Sequence, residues 1–187
     1  MEVELSAEAK DKRLNRMVAL TVVVLSVFMG VANIKDGNIV QNMAQAKADS
    51  VDRWGEYQAT RTKAHIAENA RMTITALSDG RVSNSTAAAL AKLDAAILKY
   101  RVESPKLATE AKGLSDRYDA LNIHDDQFDA SEALISTAIS LAAVAALTES
   151  MILLSVCWCF GAFGIFMGIC GFVGWGFHPS VLSNFLG

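Results

Sequence analysis

The chain has 187 residues, of which 52% are apolar and 20% charged, with 17 Lys and Arg against 20 Asp and Glu. A formal charge of −3 excludes a strongly basic nucleic-acid-binding protein, and 2 prolines with 12 glycines exclude a Pro-rich or low-complexity chain. The charges are unevenly distributed, because every Lys and Arg lies at or before Arg117. The chain therefore divides into polar and strongly apolar segments.

The first apolar segment, residues 17–34, contains no charge and is just long enough to cross a bilayer core of about 30 Å as a helix. Four basic residues precede it in residues 1–16 and only Lys35 follows closely, so the positive-inside rule predicts a cytoplasmic N-terminus and a periplasmic exit. A cleaved signal peptide is the alternative. The length of the run and the lack of a good A-x-A site after it favour an uncleaved transmembrane helix. The basic residues are Lys10, Lys12, Arg13 and Arg16.

The second apolar block, from Ala133 to Phe177, is interrupted only by Glu149 and is about twice the length of one span. It predicts two further spans, residues 131–147 and 151–177, joined by a cytoplasmic turn at 148–150. We expect Glu149 in that turn, because a carboxylate at mid-membrane is costly; the alternative is an intramembrane ion or proton site. Residues 178–187 are predicted to form a short periplasmic or interfacial tail.

Small residues recur at helical spacing in both of these spans. They predict close backbone packing between the second and third spans, because small side chains let helices approach one another. Contact between protomers through Gly164 and Gly168 is the alternative. The residues are Gly161, Gly164, Gly168 and Gly171 in the third span, and Ala138, Ala142 and Ala146 in the second.

Residues 35–130 are polar and predict a periplasmic helical hairpin that turns at 78–85, where turn and N-cap residues cluster. Its second helix carries apolar residues at a strict 3-4 spacing, the pattern of a coiled-coil seam, and Pro105 within it predicts a kink. The first helix, roughly 38–77, shows only a weak stripe of Val40, Ala44, Val51 and Ile66. The seam residues are Leu90, Leu93, Ile97, Tyr100, Ser104, Leu107, Ala111, Leu114, Tyr118 and Leu121.

One face of the first hairpin helix combines aromatic, amide and guanidinium side chains at positions i, i+3, i+4 and i+7. Because Trp, Tyr and Arg are the usual anchors of protein interfaces, this face is predicted to grip a partner helix. Intramolecular packing against Tyr100 or Tyr118 is the alternative. The residues are Trp54, Tyr57, Gln58 and Arg61, and the further partner-interface candidates on the seam are Leu93, Ile97, Tyr100, Leu107 and Leu114.

No sequence motif for catalysis, nucleotide binding or metal binding is present. Cys157 and Cys159 lie about 200° apart around a helix, so they cannot share a metal ion on a regular helix. His124, Asp125 and Asp126 are adjacent in sequence, but no further ligand is fixed nearby. We therefore expect no catalytic residue, no metal ion and no cofactor.

The run KDKRLNRMVALTVVVLSVFMG, the string from Trp54 through Tyr57, Gln58 and Ala59 to Lys63, and the segment Phe128–Leu134 resemble a family of bacterial inner-membrane proteins, the domain of unknown function 4337. The resemblance covers nearly the whole chain. It implies the same layout: one N-terminal span, a helical periplasmic segment and a C-terminal two-span hairpin. It implies no activity.

The sequence therefore predicts an all-α, non-enzymatic protein of the bacterial inner membrane. We expect its partners to be the lipid bilayer and either further copies of itself or a larger membrane protein complex, with no nucleic acid. An oligomeric channel or transporter element with Glu149 or Glu132 near the ion path is the alternative function, and a haem- or quinone-binding subunit is a third.

Overall fold

The computed structural model describes the backbone of residues 2–78 and 83–177 and the side chains from Lys12 onward within those ranges. Three helices account for nearly all of them: α1 (Glu2–Leu77), α2 (Asn84–Leu147) and α3 (Met151–Val173). The described ranges contain no strand, which confirms the all-α prediction. All three helices are long and apolar enough to cross a membrane. The predicted tail, residues 178–187, lies outside the described residues.

The connections between helices follow from local capping chemistry. Ser83 caps α2, because its Oγ accepts a hydrogen bond from the backbone N–H of Thr86 at 3.2 Å. In the second connection Glu149 adopts a left-handed φ of 50°, and Ser150 caps α3 by accepting a bond from the N–H of Leu153. Residues 148–150 thus form the turn between α2 and α3, as the charge interruption predicts.

Helix α3 ends at Val173, short of the predicted end at 177. Gly174 takes a left-handed φ of 75°, a conformation that glycine adopts at little cost. Both Gly174 and Trp175 then donate backbone hydrogen bonds of 3.0 Å to the carbonyl of Cys170. These two bonds and the left-handed glycine close the helix.

The chain divides into two compact units. The span unit consists of the residues up to Asn42 and from Ala120 on, and the hairpin unit is Met43–Asp119. The hydrophobic core of the span unit is built by all three helices. Its buried members are Leu14, Val18, Leu25, Ile135, Ala138, Ala142, Ala145, Leu154 and Cys157.

The hairpin unit packs the later part of α1 against the first part of α2. None of the predicted seam residues of α2 within this unit is exposed, and Ile97, Leu107 and Ala111 are buried. Ser50 of α1 bonds both the carbonyl of Ala111, at 3.2 Å, and the hydroxyl of Ser115, at 2.9 Å. Small residues at this level therefore bring the two helices close together.

The stripe predicted for α1 is wrong, because Val40, Ala44, Val51 and Ile66 are all exposed. The inward face of α1 in the hairpin unit is made instead mostly by small and polar residues, at successive spacings of three, four, ten and seven residues. Their weak hydropathy hid the pattern in the sequence. They are Met43, Ala46, Ser50, Thr60 and Ala67.

Pro105 lies inside α2, which continues as a helix on both sides of it. Proline cannot donate the backbone bond that a helix interior requires. Side chains on either side of it bond the nearby carbonyls: Ser104 Oγ donates to Tyr100 O at 2.8 Å and Thr109 Oγ1 to Pro105 O at 2.9 Å. Neither bond replaces the one that Pro105 cannot donate to the Arg101 carbonyl, yet the helix continues through it.

Candidate interaction site

The face of α1 singled out in the sequence is a preassembled cluster on the surface of the hairpin unit. Trp54 meets Tyr57 edge to face, with ring centroids 5.5 Å apart. The guanidinium of Arg61 lies 5.9 Å from the Tyr57 ring and donates a 3.2 Å hydrogen bond to its hydroxyl. Trp54 keeps 38% of its surface exposed, and Gln58 beside it is exposed as well. We call these four residues the aromatic patch.

A groove between α1 and α2 continues from the aromatic patch, with Tyr57 and Arg61 belonging to both. It encloses about 470 Å³ and carries charges of both signs. Glu68 in its wall pairs with Arg101 at 3.1 Å and lies 3.4 Å from His65, and Arg101 holds the pKa of that carboxyl below its usual value. The remaining wall is formed by Ala64, Tyr100, Ser104, Pro105 and Ala108.

The alternative for the aromatic patch was packing against Tyr100 or Tyr118. Tyr118 instead contacts Lys47, whose ammonium lies 5.3 Å from the centre of the tyrosine ring. Tyr100 lines the groove opposite Tyr57, and among the described residues these two rings form no stacked or edge-to-face pair. Trp54 therefore remains available on the surface.

The seam residues proposed as interface candidates face α1 of the same chain. Ile97 and Leu107 are buried there, whereas Leu93, Tyr100 and Leu114 are half-buried. Their contact area is thus used largely within one chain. Within the described part of the hairpin unit, the large apolar side chains that α2 exposes are different residues, Leu98 and Val102.

The four glycines of α3 are buried against large side chains of the other two helices. A Cβ at Gly161 would lie 3.0 Å from Leu25, and one at Gly164 would lie 2.7 Å from Ile135. Of the three predicted alanines, Ala138 would lie 3.7 Å from a Cβ at Gly161, and Ala142 is buried in the same core. The glycine face therefore packs within the chain, which leaves no room for contact between protomers through Gly164 and Gly168.

Gly168 and Gly171, the last two of the four glycines, pack against aromatic rings. A Cβ at Gly168 would lie 2.7 Å from Phe28 and 2.9 Å from Ser131 Oγ, and one at Gly171 would lie 2.8 Å from Phe128. Ser131 is fully buried, and its hydroxyl has no conventional hydrogen-bond partner. The absence of a Cβ at Gly168 thus leaves the space that the Phe28 ring and this hydroxyl occupy.

Carboxylates meet where the first span ends and the second begins. Asp36 of α1 is half-buried, and its Oδ1 atom is buried without a hydrogen-bond partner. Burial, together with the nearby carboxylates of Asp125, Asp129 and Glu132, raises the pKa of Asp36 to about 6. Burial also raises the pKa of Asp125 and of Asp129. The described residues contain no group of His, Cys, Asp and Glu arranged to hold a metal ion.

A buried amide fastens the chain after α3 to α2. Gln127 is fully buried, and its Nε2 donates to the carbonyls of Trp175, at 2.6 Å, and Phe177, at 2.7 Å. Its Oε1 lies 3.0 Å from Nδ1 of His124. Since the amide nitrogen supplies both donors to the carbonyls, Oε1 is the acceptor, and Nδ1 of His124 must carry the proton.

The family described as "Domain of unknown function (DUF4337)" matches residues 14–174. The chain belongs to this family. The DUF4337 match begins at the first buried residue of the core, Leu14, and ends at the left-handed Gly174 that closes α3. No curated protein and no solved structure matches the chain.

The sequence missed two features of this DUF4337 chain, the acidic cluster around Asp36 and the Gln127 bonds. Both join residues far apart in the chain, and the only available signal was that Asp36 follows one span while Asp125 and Asp129 precede the next. Glu132, like Glu149, is exposed in the single chain, so its role in an ion path stays a prediction. Of the three cysteines, Cys157 and Cys170 are buried and Cys159 is exposed.

Proposed function

We propose that the protein is a three-span protein of the bacterial inner membrane that acts by binding other proteins and not by catalysis. In this proposal the N-terminus is cytoplasmic, the hairpin unit is periplasmic, and the hairpin helices pair as a coiled coil. The partner is a second copy of the chain or a subunit of a larger membrane complex. The basic residues before the first span and the positive-inside rule support the orientation.

The observation that carries the proposal is the exposed aromatic patch. Its three anchors are of the residue types that dominate binding energy at interfaces, and their mutual contacts hold them in one geometry before any partner arrives. Such preorganisation reduces the side-chain entropy lost on binding. Trp54 still leaves 38% of its surface exposed, which is area that a partner could cover.

The adjoining groove adds a surface of mixed polarity that is open beside Pro105. A partner helix that packs on the aromatic patch would continue over this groove, where Arg61 belongs to both surfaces. Among the described residues Arg61 bonds the Tyr57 hydroxyl and pairs with no carboxylate. It is therefore the residue from which we expect a charge-assisted bond to the partner.

Site-specific photocrosslinking in intact membranes tests this. A photoreactive amino acid at Gln58, inside the patch, is expected to crosslink the chain to itself or to one identified membrane protein in proportion to expression. The same group at Met72, exposed on the same helix but outside the patch, is the matched control and is expected to give little product. Equal yields at both positions, or no product at either, would contradict an interface at the patch.

A further inference from the structure

Two cavities lie end to end between α1 and α3 in the span unit, and Trp158 lines both. The first, of about 350 Å³, is bounded by apolar side chains of the two helices. The second, of about 380 Å³, is bounded by Arg13, Leu14, Met17, Met151 and Trp158. Together they form one groove, with Arg13 at one end and apolar side chains along the rest. The first cavity is lined by Leu20, Thr21, Val24, Leu25, Trp158, Gly161, Ala162 and Ile165.

The apolar part of this groove presents no unsatisfied polar side chain. Its polar side chains are those of Thr21 and Trp158, and they satisfy each other, because the indole Nε1 donates a 2.9 Å hydrogen bond to Thr21 Oγ1. At the deep end the helices touch, since a Cβ at Gly161 would lie 3.0 Å from Leu25. The groove is therefore a slot with a closed floor, lined for hydrocarbon.

The length of the slot corresponds to one leaflet. Along α1 the lining residues run from Arg13 to Leu25, and twelve residues at 1.5 Å each span about 18 Å. Half of a bilayer core is about 15 Å. Arg13 thus lies at the depth of a lipid phosphate when Leu25 lies at the depth of an acyl-chain end.

We propose that this groove binds one phospholipid with an anionic head group, its phosphate against the Arg13 guanidinium and an acyl chain along Leu20, Val24 and Ile165. The inference rests on the proposed function, since it requires the span unit to be in a bilayer. Charge complementarity selects the head group, because no carboxylate lines either cavity among the described residues. In sequence, Asp11 lies two residues before Arg13 and Glu149 two residues before Met151. Glu149 lines neither cavity.

Quenching of Trp158 fluorescence by brominated lipids tests the proposal on the full chain. Trp175 is replaced by Phe to remove the other tryptophan near the spans; its backbone carbonyl, which bonds Gln127, is retained. Trp54 remains as a constant background. The probe is a small fraction of phosphatidylglycerol, brominated in the acyl chains, in phosphatidylcholine vesicles, compared with the same fraction of brominated phosphatidylcholine.

We expect brominated phosphatidylglycerol to quench Trp158 about fivefold more effectively than brominated phosphatidylcholine, the preference that one well-placed cation supplies. Arg13→Gln is expected to abolish that preference. Arg16→Gln, which removes the same charge at the same helix end but outside the groove, is the matched control and is expected to retain it. Ala162→Phe, which fills the slot, should also abolish it, whereas Ala143→Phe on the exposed face of α2 should not.

Equal quenching by the two brominated lipids would overturn the lipid site while leaving the proposed function intact. Equal loss of preference in Arg16→Gln and Arg13→Gln would also overturn it, since the effect would then be that of the general surface charge. Absence of quenching by either lipid would mean that the chain is not inserted, which contradicts the proposed function itself.

Discussion

The indole of Trp158 donates its hydrogen bond to Thr21, 137 positions away in the chain, and thereby joins α3 to α1. Neither residue belongs to the glycine or alanine pattern that the sequence shows in the spans. The bond lies beside the close contact of Gly161 with Leu25. This polar pair and the small-residue contact beside it join the first and third helices, as Gly168 does further along α3 where it faces Phe28.

Removing the Trp158 bond should weaken that crossing modestly. Thr21→Val keeps the shape of the side chain and deletes the acceptor, and we expect a loss of about 0.6 kcal/mol, the average for such bonds between membrane helices. Trp158→Phe combined with Thr21→Val should show coupling of similar size in a double-mutant cycle. The measurement is unfolding in mixed detergent followed by circular dichroism, and additive single effects would show that the bond contributes nothing.

Gly168 should not tolerate a side chain. In Gly168→Ala the new Cβ would lie 2.7 Å from Phe28 and 2.9 Å from the Ser131 hydroxyl, so we expect destabilisation of about 1–3 kcal/mol. Gly30→Ala is the matched control, because nothing lies within 4 Å of the Cβ it would add. There alanine should stabilise the helix by about 0.5–1 kcal/mol. Similar effects of the two substitutions in the same unfolding measurement would refute this packing.

Deprotonation of Asp36 should lower the stability of the span unit as the pH rises through 6. Its pKa is about 6 in the folded chain and near 3.8 when unfolded, so the folded state holds its proton to higher pH. The stabilisation that this proton provides is complete below pH 3.8 and is lost as the pH rises through 6. We therefore predict a lower melting temperature at pH 7 than at pH 5.

Asp36→Asn should flatten this dependence and raise the melting temperature at pH 7, because an amide carries no charge near Asp125 and Asp129. Asp49→Asn is the control, since Asp49 lies in the hairpin unit and bonds Gln45 on the surface. A wild-type melting temperature that does not change between pH 5 and pH 7 would contradict the proposed protonation.

Gln127 should be hard to replace even by a residue of similar shape. Gln127→Glu keeps the size but removes the amide donors, leaving the carbonyls of Trp175 and Phe177 facing a carboxylate. We expect a loss of about 1–3 kcal/mol or more, the cost of unsatisfied buried polar groups. Faster proteolysis after residue 173 would report it, and Gln45→Glu on the exposed surface of α1 should leave proteolysis unchanged.

The sequence predicted the helix breaks well because they depend on local chemistry. Turn and capping residues around Ser83 and Ser150 specify helix ends wherever the helices later pack. It also predicted which face of α2 is buried in the hairpin unit, since Ile97 and Leu107 are strongly apolar. The buried face of α1 was not predicted because Ala46, Ser50 and Thr60 have low hydropathy. They are buried only because α2 packs closely against them, which the sequence of α1 alone does not show.

The sequence also did not predict which side chains pack against the glycines of α3. The glycine spacing identified a packing face but not what fills it, and the residues that do so, Phe28, Phe128 and Ile135, are large. A glycine-rich face can pack against large side chains as well as small ones. The spacing of the glycines therefore does not identify the residues that pack on it. The aromatic patch was found because all its members lie within two turns of one helix.

The central claim, that the protein works by assembling through the aromatic patch, is tested most directly by native mass measurement after gentle solubilisation of the tagged full chain. We predict either an integer multiple of 20.1 kDa greater than one or a stoichiometric complex with one identified membrane protein. Trp54→Ala with Arg61→Ala should reduce that assembly to the single chain, whereas Met72→Ala should not. A wild-type species at 20.1 kDa with no bound protein, or a double variant that assembles like the wild type, would contradict the claim.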